Sequence, residues 1–127
     1  MSAGSSEVFK QTLVRAYYYI MVVDMKIDLK EISYGTSMIE KEKIDRTEFD
    51  QLIDGYTYED INEVKSQLAK QMEELSFDQQ LRILGYMTQM AEVDGEVDPK
   101  EHATIKELCD RFKIDPVAVK NEKLKIS

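Results

Sequence analysis

The sequence predicts an all-α fold, a seven-helix bundle built from two pseudo-symmetric helix-turn-helix repeats, and three observations lead there. Only two Pro and five Gly interrupt 127 residues, too few breaks for a many-turned β fold. Apolar residues recur at helical spacing along most of the chain. Residues 23–49 also match 93–119 without a gap, with eight identities in 27 positions. These are Val23/Val93, Asp24/Asp94, Asp28/Asp98, Lys30/Lys100, Glu31/Glu101, Lys43/Lys113, Ile44/Ile114 and Asp45/Asp115. The preceding segments correspond too, since Leu13, Tyr17 and Ile20 fall on Ile83, Met87 and Met90 at i, i+4 and i+7.

Each copy reads as an apolar helix, an acidic turn, an amphipathic helix, a second turn and a short helix. The first helices are expected over about Glu7–Val23 and Phe77–Glu92, the second over about Leu29–Glu42 and Pro99–Phe112, and the third after Asp45 and Asp115. A connecting helix is expected over 58–74, with Ile61, Val64, Leu68, Met72 and Leu75 in line. The whole chain, 1–127, then forms one domain, with repeat one over about 9–54 and repeat two over about 77–120.

Helix starts are marked by side chains that can satisfy free backbone N–H groups. Asp28 and Asp98 are N-cap candidates with Glu31 and Glu101 three residues on, as in a capping box, and Pro99 suits the first helical position. Asp45 with Glu48, and Asp115 before Pro116, repeat the device. Thr57 and Ser76 are the expected caps of the connecting helix and of the helix after it. Gly35 stands inside a helix where the second copy has Ile105, and a helical glycine, costing about 1 kcal/mol, implies close packing.

Composition narrows the function classes. A net charge of −8 opposes binding to phosphate backbones, so neither nucleic acid nor an anionic lipid surface is an expected partner. The longest apolar run, Ala16 to Val23, is eight residues, against the ~20 needed to span a bilayer, so no direct membrane insertion is expected. The first residues carry no signal-peptide pattern, and the protein is read as cytoplasmic. A lone Cys109 and a lone His102 cannot build a Cys/His zinc site. Cys109, on the stripe between Ile105 and Phe112, reads as inert, and His102, at the position of Ile32, as a packing histidine. No hydroxyl or thiol has an evident base and no Gly-rich phosphate loop occurs, so the expectation is a protein without enzymatic activity.

The acidic turns carry the chemical promise. Asp24, Asp28 and Glu31, and likewise Asp94, Asp98 and Glu101, put three carboxylates within eight residues, the oxygen donors that hard divalent cations take. The spacing is not that of an EF-hand, because Pro99 and Ile105 occupy the sixth and twelfth positions counted from Asp94. Two readings stand side by side. Asp28, Glu31, Asp98 and Glu101 are accounted for by helix capping alone. Asp24 and Asp94, at the negative ends of helix dipoles, gain from a cation beside them. The run Tyr17-Tyr18-Tyr19 covers about 200° of a helix; Tyr17 follows the core stripe, while Tyr18 and Tyr19 either cover a neighbouring helix or line a groove for a partner.

The segment from Ala91 to Glu101 resembles the TerB-like family, the tellurite-resistance B domain, which is also similar to the N-terminal part of some membrane-anchored DnaJ-type co-chaperones. The family's pattern is an apolar helix ending in Ala, then Asp-Gly, an aliphatic residue, and a Glu opening the next helix. Ala91, Asp94, Gly95, Val97 and Glu101 fill it, and Asp24, Ile27 and Glu31 repeat it with Met25 in place of Gly. The resemblance spans about residues 9 to 120 and implies a seven-helix bundle of approximate two-fold symmetry. It further implies a role in a stress-response complex of the tellurite, metal or phage resistance type near the inner face of the membrane. By the same resemblance Asp24, Asp28, Glu31, Asp94, Asp98 and Glu101 hold a divalent cation such as Ca²⁺, Mg²⁺ or Zn²⁺. The rival expectation is a metal-free module that docks a protein partner through an acidic face or through a groove lined by Tyr18 and Tyr19.

If Asp98 is a cap and Glu96 a solvated charge, Asp98→Ala should lower stability by about 1 kcal/mol more than Glu96→Ala. Coincident urea midpoints for the two variants would remove the capping assignment.

Overall fold

The structure is a computed structural model that describes residues 3–23, 29–93 and 99–126. Among the described residues there are seven helices and no strand: α1 Ala3–Val23, α2 Leu29–Lys41, α3 Arg46–Tyr56, α4 Ile61–Glu73, α5 Phe77–Glu92, α6 Pro99–Phe112 and α7 Pro116–Ile126. One cluster of buried side chains draws on all seven.

The centre of the bundle is the pair α1 and α5, which pack on one another. Six consecutive residues of α1, Thr12 to Tyr17, are buried, and so are six of α5, Ile83 to Thr88. Such runs exceed the ~3.6 residues of a helical turn, so both helices are covered all round there. α3 and α4 pack on α1, and α6 and α7 on α5. The buried hydroxyls inside the pair are satisfied within their own helices, Thr12 Oγ1 donating to the Val8 carbonyl at 2.7 Å and Thr88 Oγ1 to that of Leu84 at 2.9 Å.

Arg15 is the one cation that enters this centre from α1. Its guanidinium donates to Gln71 Oε1 at 3.0 Å and Glu59 Oε1 at 2.8 Å, and lies 4.4 Å from the centre of the Tyr56 ring. It thereby ties α1 to α3, α4 and the turn between them. The connecting helix starts later than the sequence pattern suggests, at Ile61 rather than Tyr58. Thr57 does not cap it: Thr57 Oγ1 donates backwards to the Asp54 carbonyl at 2.6 Å, as the C-cap of α3. Asp60 is the N-cap, accepting from the Asn62 N–H at 2.8 Å. Ser76 caps α5 in a full capping box with Gln79, and Asp45 caps α3 by accepting from Glu48 N–H at 3.0 Å.

The offset of seventy recurs in local geometry. α2 and α6 both end in a left-handed lysine, Lys43 at φ 57° and Lys113 at φ 56°. In each case the next N–H reaches five residues back, Ile44 to Ile39 at 2.8 Å and Ile114 to Cys109 at 2.9 Å, which closes the helix without a glycine. Contacts between halves are paired in the same way. Tyr34 of α2 donates to Gln89 of α5, and at the positions seventy residues away Thr104 of α6 meets the Tyr19 hydroxyl of α1 at 3.5 Å. The second helix of each half thus also touches the first helix of the other.

Side-chain size is exchanged between halves rather than repeated. In the first, a Cβ on Gly35 would stand 2.5 Å from Tyr17 Cζ, so the glycine makes room for the ring; in the second, the positions seventy residues on hold Ile105 and the smaller Met87. Likewise a Cβ on Gly85 would stand 2.9 Å from Ile126 Cδ1, where the first half packs Arg15 over Tyr56. Gly35→Ala should therefore cost about 1–3 kcal/mol through overpacking. Adding Tyr17→Met, the residue at the equivalent position of the second half, should recover part of that loss. Urea denaturation of the two single variants and the double variant checks this, and strictly additive losses would mean that the ring and the glycine are not coupled.

Candidate functional site

Of the six expected cation ligands, Asp24, Asp28, Asp94 and Asp98 lie outside the described residues, and Glu31 and Glu101 lie within them. These two occupy the third position of α2 and of α6 and are each only 3% exposed. The helical stripe explains their burial: Glu31, Gly35, Met38 and Ile39 share one buried face of α2, and Glu101, Ile105, Leu108 and Cys109 the matching face of α6. A carboxylate stands where the pattern would otherwise place an apolar residue, in both halves. Burying a charged carboxylate costs several kcal/mol unless it is paired or hydrogen-bonded, and both side chains belong to residues with interacting partners.

The surroundings of Glu31 are the better defined. The Tyr17 hydroxyl donates to its backbone carbonyl at 3.1 Å, with the ring packed at 5.6 Å on Phe49. Burial first, and the Glu31 charge second, push the Tyr17 hydroxyl up to about 12, against a smaller opposing pull from Arg46. The residue that ends the segment before the second acidic turn and the one that follows the first are near one another, for Val93 and Leu29 line the same surface depression beside Tyr34. Among the described residues, no three His, Cys, Asp or Glu side chains are grouped to hold a metal ion.

The two tyrosines singled out for partner binding part company. Tyr19 is buried, 5% exposed, beneath α6 and in contact with Thr104, which leaves it no free surface. Tyr18 is half-buried, its ring 5.6 Å from that of Tyr56, and it lines a groove with Val22, Val23, Glu59 and Ile61. Arg15, which organises one wall of this region through Glu59, was not singled out by the sequence pattern; an arginine on the buried face of an apolar helix was the available signal. Cys109 is buried, and burial, then Asp110 and Asp115, raise its thiol above the ordinary range, which disfavours the reactive thiolate. The His102 ring lies at the α6 surface with Nε2 buried and without a hydrogen-bond partner.

A helical bundle with two equivalent acidic helix entrances, and no helix among the described residues long and apolar enough to cross a membrane, defines a class of small helical modules rather than one activity. The family model for tellurite resistance protein TerB matches residues 11–124, and the chain belongs to the TerB family. No curated protein matches the chain, and no solved structure does.

The buried tyrosines have a consequence at high pH. Tyr17 and Tyr56 are each raised from 10.0 to about 12, in both cases chiefly by burial. An unfolded chain ionises its tyrosines near 10, before the folded one can, so the stability these groups contribute is complete below pH 10 and is lost as pH rises toward about 12. Alkaline titration followed by tyrosinate absorbance and helical dichroism together should show late, cooperative ionisation coinciding with unfolding. Ionisation of all tyrosines near 10 with the helices intact would contradict their burial.

Proposed function

We propose that the chain is a non-enzymatic TerB-family adaptor that binds a divalent cation at its acidic turns and works within a stress-response complex of the tellurite, metal or phage resistance type. The observation that carries the reading is the matched burial of Glu31 and Glu101, each at the helix entrance that follows an acidic turn. Two carboxylates held out of water at equivalent places suit a site whose charge is balanced from outside the described side chains as well as from within them. Asp24, Asp28, Asp94 and Asp98 would complete it, and the nearness of Leu29 to Val93 agrees with the two turns facing one region. A donor set made only of carboxylates favours Ca²⁺ or Mg²⁺ over Zn²⁺, which takes nitrogen and sulfur more readily. The bound ion would lock the α1–α2 and α5–α6 entrances and so present one rigid end of the bundle to a protein partner. A cytoplasmic location, next to a membrane-associated complex but not inserted, fits the charge of −8 and the lack of a spanning helix among the described residues.

A second reading rests on the Tyr18 groove. Its volume of about 320 Å³ and its aliphatic walls, with Tyr58 85% exposed nearby, suit the docking of a protein segment without any metal. Thermal unfolding with Ca²⁺, Mg²⁺ or Zn²⁺ against chelator separates the two. An ion held at 100 times above its dissociation constant should add about 2.7 kcal/mol, and the rise should vanish in Glu31→Gln/Glu101→Gln. An unmoved midpoint with all three ions rejects the cation reading and leaves the groove.

A further inference from the structure

The second half contains a cavity of about 400 Å³ between α5, α6 and α7, within the size range of small-molecule sites. Two helices present aligned stripes to it, His102, Ile105, Lys106 and Cys109 from α6, and Pro116, Val119 and Lys120 from α7. The floor is apolar. Its polar groups include the His102 ring, whose Nε2 is buried with no hydrogen-bond partner among the described residues, and the two lysines. Of the acidic lining residues, Glu92 is paired with Lys123 at 2.9 Å, which leaves Asp110 against Lys106 and Lys120. With Glu92 so paired, the two lysines outnumber Asp110, the remaining acid of the lining, in a chain of net charge −8.

The first half supplies the internal comparison, because Arg46 and Phe49 stand along the corresponding groove there. Arg46 crosses it, 3.2 Å from Asp50 and 3.5 Å from Thr36, with its guanidinium 5.7 Å from the centre of the Phe49 ring. Seventy residues on, each of these four positions has changed in the direction that opens the groove or makes it cationic. Arg46 becomes Pro116, Phe49 becomes Val119, Thr36 becomes Lys106 and Asp50 becomes Lys120, while Ile32 becomes His102. A side chain that cannot cross, a smaller floor, two lysines in place of one arginine and a buried polar atom without a partner together describe a pocket for something with an apolar body and an anionic end.

We propose that the α6–α7 cavity binds a small amphipathic carboxylic acid, its hydrocarbon part against Ile105, Cys109, Pro116 and Val119 and its carboxylate at His102, Lys106 and Lys120. None of its lining residues is one of the six proposed cation ligands. The probe is octanoate, with octanol as its uncharged counterpart, titrated into the full chain in the presence of chelator while the amide and histidine side-chain resonances are followed. Octanoate should shift α6, α7 and the His102 ring saturably, and octanol should bind more weakly. Val119→Phe, the residue of the first half, should weaken octanoate roughly tenfold or more, and Lys120→Gln should weaken it without altering the dichroism. His102→Ile, also borrowed from the first half, keeps the test open if Val119→Phe does not fold, and should weaken binding as well. No saturable shift at concentrations where octanoate is monomeric, equal affinity for octanol, or undiminished binding in the folded variants would each overturn the proposal.

Discussion

The packing of α1 against α5, each buried around its whole circumference for six residues, leaves the other five helices to act as a coat. Two helices without a solvent face cannot be stable in water by themselves, so α3 and α4 on one side and α6 and α7 on the other follow from their composition. The same constraint explains the polar residues that survive inside. Thr12 and Thr88 turn their hydroxyls back to their own helices. Arg15 is tolerated because Gln71, Glu59 and the Tyr56 ring meet it from three neighbouring segments.

Within that frame the two halves solve one packing problem with different side chains. Where α1 carries a bulky Tyr17, α2 answers with Gly35, and the equivalent positions of α5 and α6 hold Met87 and Ile105. Where α5 carries Gly85, Ile126 fills the space, and where α1 carries Arg15, the flat Tyr56 ring receives it. A glycine wherever a large side chain comes close is the behaviour expected of close-packed interiors. It also frees surface positions to diverge, which is how the groove beside Arg46 and the cavity beside Pro116 come to differ.

Much of this was legible before any coordinates. Ser76 and Asp45 announce helix starts through short-range chemistry, and short-range chemistry is local in sequence. The capping signal misled once, at Thr57, because a Thr at the end of a helix and a Thr before one look alike; Asp60, three residues later, holds the stronger acceptor and wins. Lys43 and Lys113 hide a left-handed turn, since lysine gives no hint of positive φ and the closure depends on the Ile that follows. Glu31 and Glu101 were legible as capping residues or cation ligands, but not as buried ones. Their burial comes from which face of α2 and α6 meets the central pair, a long-range fact that local pattern does not contain. Of the two readings open for Tyr19 the structure gives cover by a neighbouring helix, through Thr104, 85 residues away.

The crossed contacts, Tyr34 with Gln89 and Thr104 with Tyr19, make the halves interlocked rather than stacked. During synthesis α2 emerges soon after α1 but well before α5, and its contact with α5 spans 55 residues. The Tyr34–Gln89 and Tyr19–Thr104 contacts therefore form only once both halves have been made, and each half supplies part of the other's cover.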